Sequence, residues 1–271
     1  MRRPNLADAR QKLRRADHYV EVLHEVLEVW NGAEDDAVIV QRWKDEPELQ
    51  YTSVYVERLK PIPEAWGLIV GDALNNYRSC LDHLAYALVR CGAASSSLRS
   101  EKFCIKVEFP MDRGAFSVRR RLPGVDNRYI EALAPFQPGK RPGTRRWQLG
   151  ALRRLNNVDK HRKLLMTHHA LGFTELRSGT PAPVRVEPLP GALYPKPNTE
   201  LVRLHWRYGR PPRPVKYLNS GINFENPSMD VQFEPTCTIV FRQNLPDRQV
   251  TNVLLAISGV AGELIEAIER V

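Results

Sequence analysis

The chain has 271 residues, 42% of them hydrophobic and 26% charged, with a formal net charge of +9. That length and balance suit one large or two modest globular domains with a substantial core. No run of about 18 apolar residues occurs, so no membrane span is expected. Four cysteines without a Cys-x-x-Cys pair argue against a zinc ribbon or a dense disulfide framework and predict buried free thiols. The opening Met1-Arg2-Arg3-Pro4 lacks the apolar stretch of a signal peptide, which makes the cytoplasm the expected compartment.

The positive charge is concentrated. From Arg113 to Lys163 there are fourteen Lys or Arg against Asp126, Glu131 and Asp159, a surplus of 11. The segment includes Arg119-Arg120-Arg121, Lys140-Arg141, Arg145-Arg146 and Arg153-Arg154. A basic stripe of this density attracts polyanions by releasing their counterions, and the plainer reading is a solubilising surface.

In chain order, Leu6, Ala9, Leu13, Ala16, Val20, Leu23, Leu27 and Trp30 recur at spacings of three and four and predict a helix over about Leu6 to Trp30. Ala37 to Trp43 and Thr52 to Leu59 alternate in part between apolar and polar residues and predict a hairpin through Asp45-Glu46-Pro47. The next helix spans about Pro63 to Arg90, with Trp66, Val70, Ala73, Tyr77, Leu81, Leu84 and Leu88 as its apolar stripe. Phe103 to Phe109 is expected as a short strand. Ala115 to Arg121 and Asp126 to Leu133 are expected as short helices split by Pro123-Gly124. A second long helix is predicted over about Trp147 to Leu171, with Leu152, Leu155, Val158, Leu165 and Met166 as its core stripe.

After Gly172 the character changes. Nine of the 21 prolines fall between Pro181 and Pro214. Pro183 to Glu187, Leu201 to Tyr208, Val215 to Phe224 and Val231 to Phe241 predict about four antiparallel strands with proline-punctuated turns. A last helix is expected over about Leu245 to Val271. The fold class expected is therefore α+β. Residues 1–171 form a mainly helical bundle with the hairpin at 37–60. Residues 172–244 form an inserted antiparallel β-sheet, and the helix of 245–271 returns to the helical region.

Two polar stretches stand out. The long helix at Pro63 to Arg90 carries Asn75, Arg78, Ser79, Asp82, His83 and Tyr86 opposite its apolar stripe, with no Lys and no Glu over three turns. Solvated helix faces ordinarily carry such long charges, whereas short directional groups suit a ligand or another polar surface. At 100° per residue, Arg78 and Asp82 lie roughly 40° apart and His83 roughly 140° from Arg78. The second stretch is Asn156-Asn157-Val158-Asp159-Lys160-His161-Arg162. One polar seam is expected between them, with Asn157, Lys160 and His161 facing Asn75, Arg78, Asp82 and His83. The bland alternative is a hydrogen-bonded network that fixes the register of two packed helices.

Chemically, a histidine exchanges protons near neutral pH, and an arginine fork holds a phosphate and the charge that builds on it. Those two roles are the minimum for cleaving RNA by attack of its own 2′-hydroxyl. Four residues separate Arg78 from His83, and this stretch resembles the Arg-x4-6-His signature of the HEPN superfamily. Asn-Asn-x-Arg-Ser-x-Leu-Asp-His together with the later Leu-Asn-Asn-Val-Asp-Lys-His-Arg also resembles a bacterial HEPN-like group without assigned activity. The resemblance covers about a tenth of the chain. Ser79, where many of these ribonucleases carry Asn, Asp or His after the arginine, departs from the pattern.

The resemblance implies a metal-independent endoribonuclease of the toxin or defence kind, working as a homodimer, with an antitoxin or other protein as a further partner. Arg78 would contact the scissile phosphate and His83 would act as acid and base; Asp82 has no fixed place in the signature, and its position on the helix, with that of Asn75, suits it to orient them. Asn75, Asn157, Lys160, His161, Arg153 and Arg154 would bind RNA or another polyanion. Arg154 and His161, six residues apart, fit the same loose signature. A non-catalytic nucleic-acid, nucleotide or protein-binding module is the alternative. No metal or cofactor is expected: His161 and His168, about 10 Å apart along a helix, would be too distant for one ion, and no phosphate-loop, dinucleotide or His-Glu-x-x-His pattern occurs. His18, His24 and His205 are expected at the surface. Trp206, Tyr208 and Tyr217 are read as sheet packing, with base stacking as the functional alternative.

Overall fold

A computed structural model of the protein describes residues 3–32, 39–46, 51–92, 107–111, 115–137, 147–161, 166–173, 185–189, 196–205, 235–241 and 245–271. The expected strand at 215–224, the basic pairs at 140–141 and 145–146, and Trp206, Tyr208 and Tyr217 lie outside the described residues. The fold is α+β and divides into two compact units. One comprises Met1–His24, Glu64–Leu165 and Gln243–Val271, and the other Glu25–Pro63 and Met166–Arg242.

The first unit is helical. It contains most of α1 (Ala7–Gly32), α2 (Ala65–Gly92), α3 (Ala115–Arg121), α4 (Asn127–Leu133), α5 (Trp147–His161) and α6 (Val250–Glu269). The predicted stripe of α2 is buried in full, from Trp66 through Val70, Ala73, Tyr77, Leu81 and Leu84 to Leu88. The α6 stripe, Val250, Leu254, Ile257, Val260, Leu264, Ile265 and Ile268, is buried likewise. The helices α2, α5 and α6 pack on one another, and α4 packs on α6. Among the described residues α6 is the one helix long and apolar enough to cross a membrane. In this fold its apolar stripe fills the core. Asn5 Oδ1 accepts the Ala7 N–H at 3.1 Å and starts α1. Arg10 grips Glu269 with a two-pronged contact (3.1 and 2.5 Å) that joins α1 to the end of α6.

Between α3 and α4 the chain turns at Leu122-Pro123-Gly124-Val125, with Val125 N–H donating to Leu122 O at 3.4 Å. Gly124 has φ 78°. Pro second and a left-handed Gly third are what a type II turn demands. Asp126 accepts the Arg128 N–H at 3.1 Å and caps α4.

The second unit carries a four-stranded antiparallel sheet in the order β1-β2-β5-β4, built from β1 (Ile39–Glu46), β2 (Tyr51–Leu59), β5 (Glu200–His205) and β4 (Arg185–Pro188). The hairpin near the N-terminus and strands from beyond residue 180 thus share one sheet, with Val54 opposite Val202. Pro188, which has no N–H to give, falls on the edge strand β4. Strand β3 (Met166–Phe173) pairs antiparallel with β6 (Pro235–Phe241).

Three expectations need correction. The helix predicted to Leu171 stops at His161, and Met166–Phe173 is a strand. Its partner runs Pro-Thr-Cys-Thr-Ile-Val-Phe, a β-branched and aromatic segment some 70 residues downstream, and cross-strand pairing overrides the helical spacing of Leu165 and Met166. His161 and His168 therefore do not share a helix. The last helix begins at Val250, after a short strand β7 (Leu245–Gln249), because Pro246 biases Leu245 toward extended backbone. Residues 107–111, the described part of the expected strand at 103–109 and beyond, carry no strand. There the Phe109 N–H is taken by a side chain.

Candidate functional site

The polar face of α2 is built as its spacing predicts, and its chemistry is specific. Arg78 Nε donates to Asp82 Oδ2 at 2.9 Å, one turn along. Its Nη2 reaches Glu108 Oε2 at 3.4 Å. The other Asp82 oxygen, Oδ1, accepts the backbone N–H of Phe109 at 2.8 Å. Phe109, Pro110 and Met111 are buried. Asp82 therefore acts as a latch that ties this extended segment to α2, and Arg78 closes it. Arg78 is 15% exposed in its side chain and faces two carboxylates. Burial pushes the Asp82 carboxyl above the ordinary range; Arg78 and the Phe109 N–H pull it back, and Glu108 adds to the rise.

His83 stands apart from this latch. It points about 140° away from Arg78 around the helix, is half-buried, and makes no hydrogen bond or ion pair among the described residues. Asn75 is exposed one turn before Ser79. Its neighbour Asn76 is buried and returns its amide to Asp72 O at 2.8 Å. Exposed residues continue along α2 as Leu68, Asp72, Asn75, Tyr86 and Arg90. The Arg90 guanidinium lies over the Tyr86 ring, 6.0 Å from its centroid.

The second polar stretch lies at the end of α5. Arg153, Arg154 and Asn157 are exposed there, whereas Asn156 is buried, with no hydrogen-bond partner for its Oδ1 among the described residues. The side chains of Lys160 and His161 lie outside the described residues. Helices α2 and α5 meet where Asp159 presses its carboxylate on Gly71: a Cβ built at Gly71 would stand 2.5 Å from Asp159 Oδ1. The absence of a side chain at 71 lets the carboxylate reach the α2 backbone. Among the described residues no hydrogen bond joins Asn75, Arg78, Asp82 or His83 to Asn157.

A polar node that the sequence reading missed lies deeper. Asp17 Oδ1 accepts both the Tyr77 hydroxyl (2.9 Å) and the Ser258 hydroxyl (2.6 Å), so one carboxylate oxygen joins α1, α2 and α6. Burial, with Asp17 alongside, drives the Tyr77 phenol far above its ordinary range. Burial, then Asp17 and Asp82, pushes the Cys80 thiol up to about 12. The signal was present. Asp17 falls between Leu13 and Val20 at core spacing, and Ser258 between Leu254 and Ala261, where a polar residue needs a partner.

Arginines of the basic segment divide by what they meet. Arg119, Arg120 and Arg121 on α3 and Arg153 and Arg154 on α5 are exposed. Arg119, Arg120 and Arg154 form no ion pair among the described residues. Arg128 leans instead on Asp126 (3.5 Å) and on the Tyr129 ring (4.8 Å). In the β unit, His205 pairs with Glu187 at 2.9 Å and meets the Tyr51 ring at a tilt, with centroids 5.6 Å apart, so it is a tied sheet residue. Among the described residues no group of three His, Cys, Asp or Glu is placed to hold a metal.

Compared with known proteins, the chain matches no family model, no curated protein and no solved structure. The class that fold and site define is an α+β protein with a latched polar helix face and a basic helical surface.

Proposed function

We propose that the protein is a HEPN-like helical module that binds RNA or a related polyanion through the exposed arginines of α3 and α5. The observation that carries this reading is a contrast between cations. Arg78 spends its charge on Asp82 and Glu108, while Arg119, Arg120 and Arg154 stand exposed without an acidic partner among the described residues. Counterions leave a nucleic acid as its phosphates are neutralised; a cation already matched by two carboxylates neutralises little of that charge, whereas an unmatched one neutralises more. In this reading Asp82 and Arg78 hold the 107–111 segment and the site's shape.

The test is a fluorescence-anisotropy titration with labelled RNA across a salt series. Binding should weaken steeply with salt, by about 0.7 in the log–log slope for each phosphate contact. Charge reversal at Arg119, Arg120 and Arg121 should abolish it while circular dichroism stays unchanged. Salt-independent binding, or full affinity in the charge-reversed protein, rejects the reading.

A second reading, metal-independent RNA cleavage by Arg78 and His83 in a homodimer, draws on one observation: His83, on the same helix as the Arg78 latch but turned away from it, is half-buried with no partner of its own among the described residues. It requires substrate phosphate to displace Glu108 from Arg78. RNA incubated with the protein in EDTA, beside Arg78→Ala and His83→Ala, separates the two readings. Cleavage lost in both variants supports catalysis; intact RNA in all three lanes leaves binding alone.

A further inference from the structure

The polyanion reading names a charge; the geometry at the C-terminal end of α2 points to the form of nucleic acid. Tyr86 is a large aromatic residue left 40% exposed on a helix whose other large rings, Trp66 and Tyr77, are buried. Arg90 covers its ring at 6.0 Å. A guanidinium takes up one face of a ring, and the 40% of Tyr86 that remains exposed is surface a base can reach. Beside it on the same side of the helix, three residues earlier, His83 presents a ring without a partner among the described residues.

This aromatic edge is joined to the basic surface by a close backbone approach. Gly92, two residues beyond Arg90, packs against the turn that ends the Arg119-Arg120-Arg121 run. A Cβ at Gly92 would clash with the Gly124 carbonyl oxygen and stand 3.1 Å from Val125 Cα. Counted along the backbone through that contact, the Cα atoms of Arg90 and Arg121 are no more than about 22 Å apart. Rings and unmatched guanidinium groups thus share one end of the helical unit. Each part alone is ordinary. Together they supply what a single strand needs: a π face for an unstacked base and cations spaced along its backbone. A duplex keeps its bases stacked inside and has no use for the ring.

We propose that this end of the helical unit binds single-stranded nucleic acid, with a base stacked on Tyr86 and the flanking phosphates held by Arg90, Arg119 and Arg120. The inference rests on the polyanion reading and adds to it the strand state and the base contact. Twelve-nucleotide single-stranded RNA, the DNA of the same sequence and the corresponding duplex, each labelled, are titrated against the intact protein. Both single strands should bind at least fivefold more tightly than the duplex. If the 2′-hydroxyl is read as well, RNA will exceed DNA. Tyr86→Leu, which keeps bulk without a ring, should lose at least fivefold for the single strands and nothing for the duplex. Tyr86→Phe restores the ring and should regain that loss. Arg119→Ala with Arg120→Ala should lower the single-strand salt slope by about 1.4. Equal affinity for duplex and single strand, or unaltered single-strand affinity in Tyr86→Leu, overturns the proposal while leaving the polyanion reading in place. No binding by any of the three probes removes both.

Discussion

Replacing Gly92 by alanine isolates the contact that joins α2 to the α3–α4 turn. Alanine in place of glycine ordinarily gains up to about 1 kcal/mol in a helix. Here the new methyl would meet the Gly124 carbonyl oxygen inside contact distance and lie 3.1 Å from both Gly124 C and Val125 Cα. All of these are main-chain atoms. The turn that carries them cannot rotate aside, because Pro123 fixes one dihedral and Gly124 already occupies φ 78°. Helix and turn must separate, and forcing an extra methyl group into a packed site costs about 1–3 kcal/mol. Against a glycine-to-alanine change at an open helical site, which keeps that gain, the expectation is a loss of about 1–3 kcal/mol, or roughly 2–12 °C in melting temperature for a chain of this size. Gly150 and Gly259 are matched controls, since a Cβ at either meets nothing within 4 Å. Gly150→Ala and Gly259→Ala should each melt at or above the parent temperature when ellipticity is followed at 222 nm. If Gly92→Ala melts with the controls, the backbone approach is not a constraint and the reasoning fails.

Two further expectations concern titration and reactivity. Because the Asp82 carboxyl is raised above its ordinary value by burial, the folded protein holds that proton more tightly than the unfolded chain. Its contribution to stability is therefore full below about pH 4, the unfolded value, and is lost as pH rises through the folded value. Denaturant melts of the parent and Asp82→Asn between pH 3.5 and 7 should show the parent's advantage shrinking as pH rises; an advantage that grows refutes the burial argument. The Cys80 thiol, fully buried and pushed up to about 12, should resist iodoacetamide at pH 8 in the native protein and react after denaturation, as read by peptide mass mapping. Half-exposed Cys91 serves as the internal reference. Native labelling of Cys80 at the rate of Cys91 would contradict its placement.

Helices whose burial follows their own period were legible from the chain. The stripes of α2 and α6 are buried residue for residue, and the Pro123-Gly124 break falls where the turn lies. What failed depended on partners distant in sequence. Nothing local in Met166–Phe173 announces a strand; its identity is conferred by Pro235–Phe241. The site shows the same division. The Arg78–Asp82 pair could be read from its four-residue spacing. The use of Asp82 to hold Phe109, and of Glu108 to share Arg78, required a segment that returns to the helix. Asn157, the residue expected to bind, is exposed, while its neighbour Asn156 is buried, a 100° difference that decides which can meet a ligand.

The shared oxygen of Asp17 also bears on how the chain comes to be folded during synthesis. Its two donors lie 60 and 241 residues away, so the contact that ties α1 into the core waits for a residue made 241 positions later. Until Ser258 and the apolar stripe of α6 emerge, α1 and α2 present a carboxylate and an uncovered hydrophobic seam together. A chain halted before Val250 would carry that seam open. Long-range closure of this kind slows folding and leaves the emerging protein dependent on protection from association. The helical unit is sealed from its far end, and the polar latch at Asp82, only 27 residues from Phe109, can close well before it.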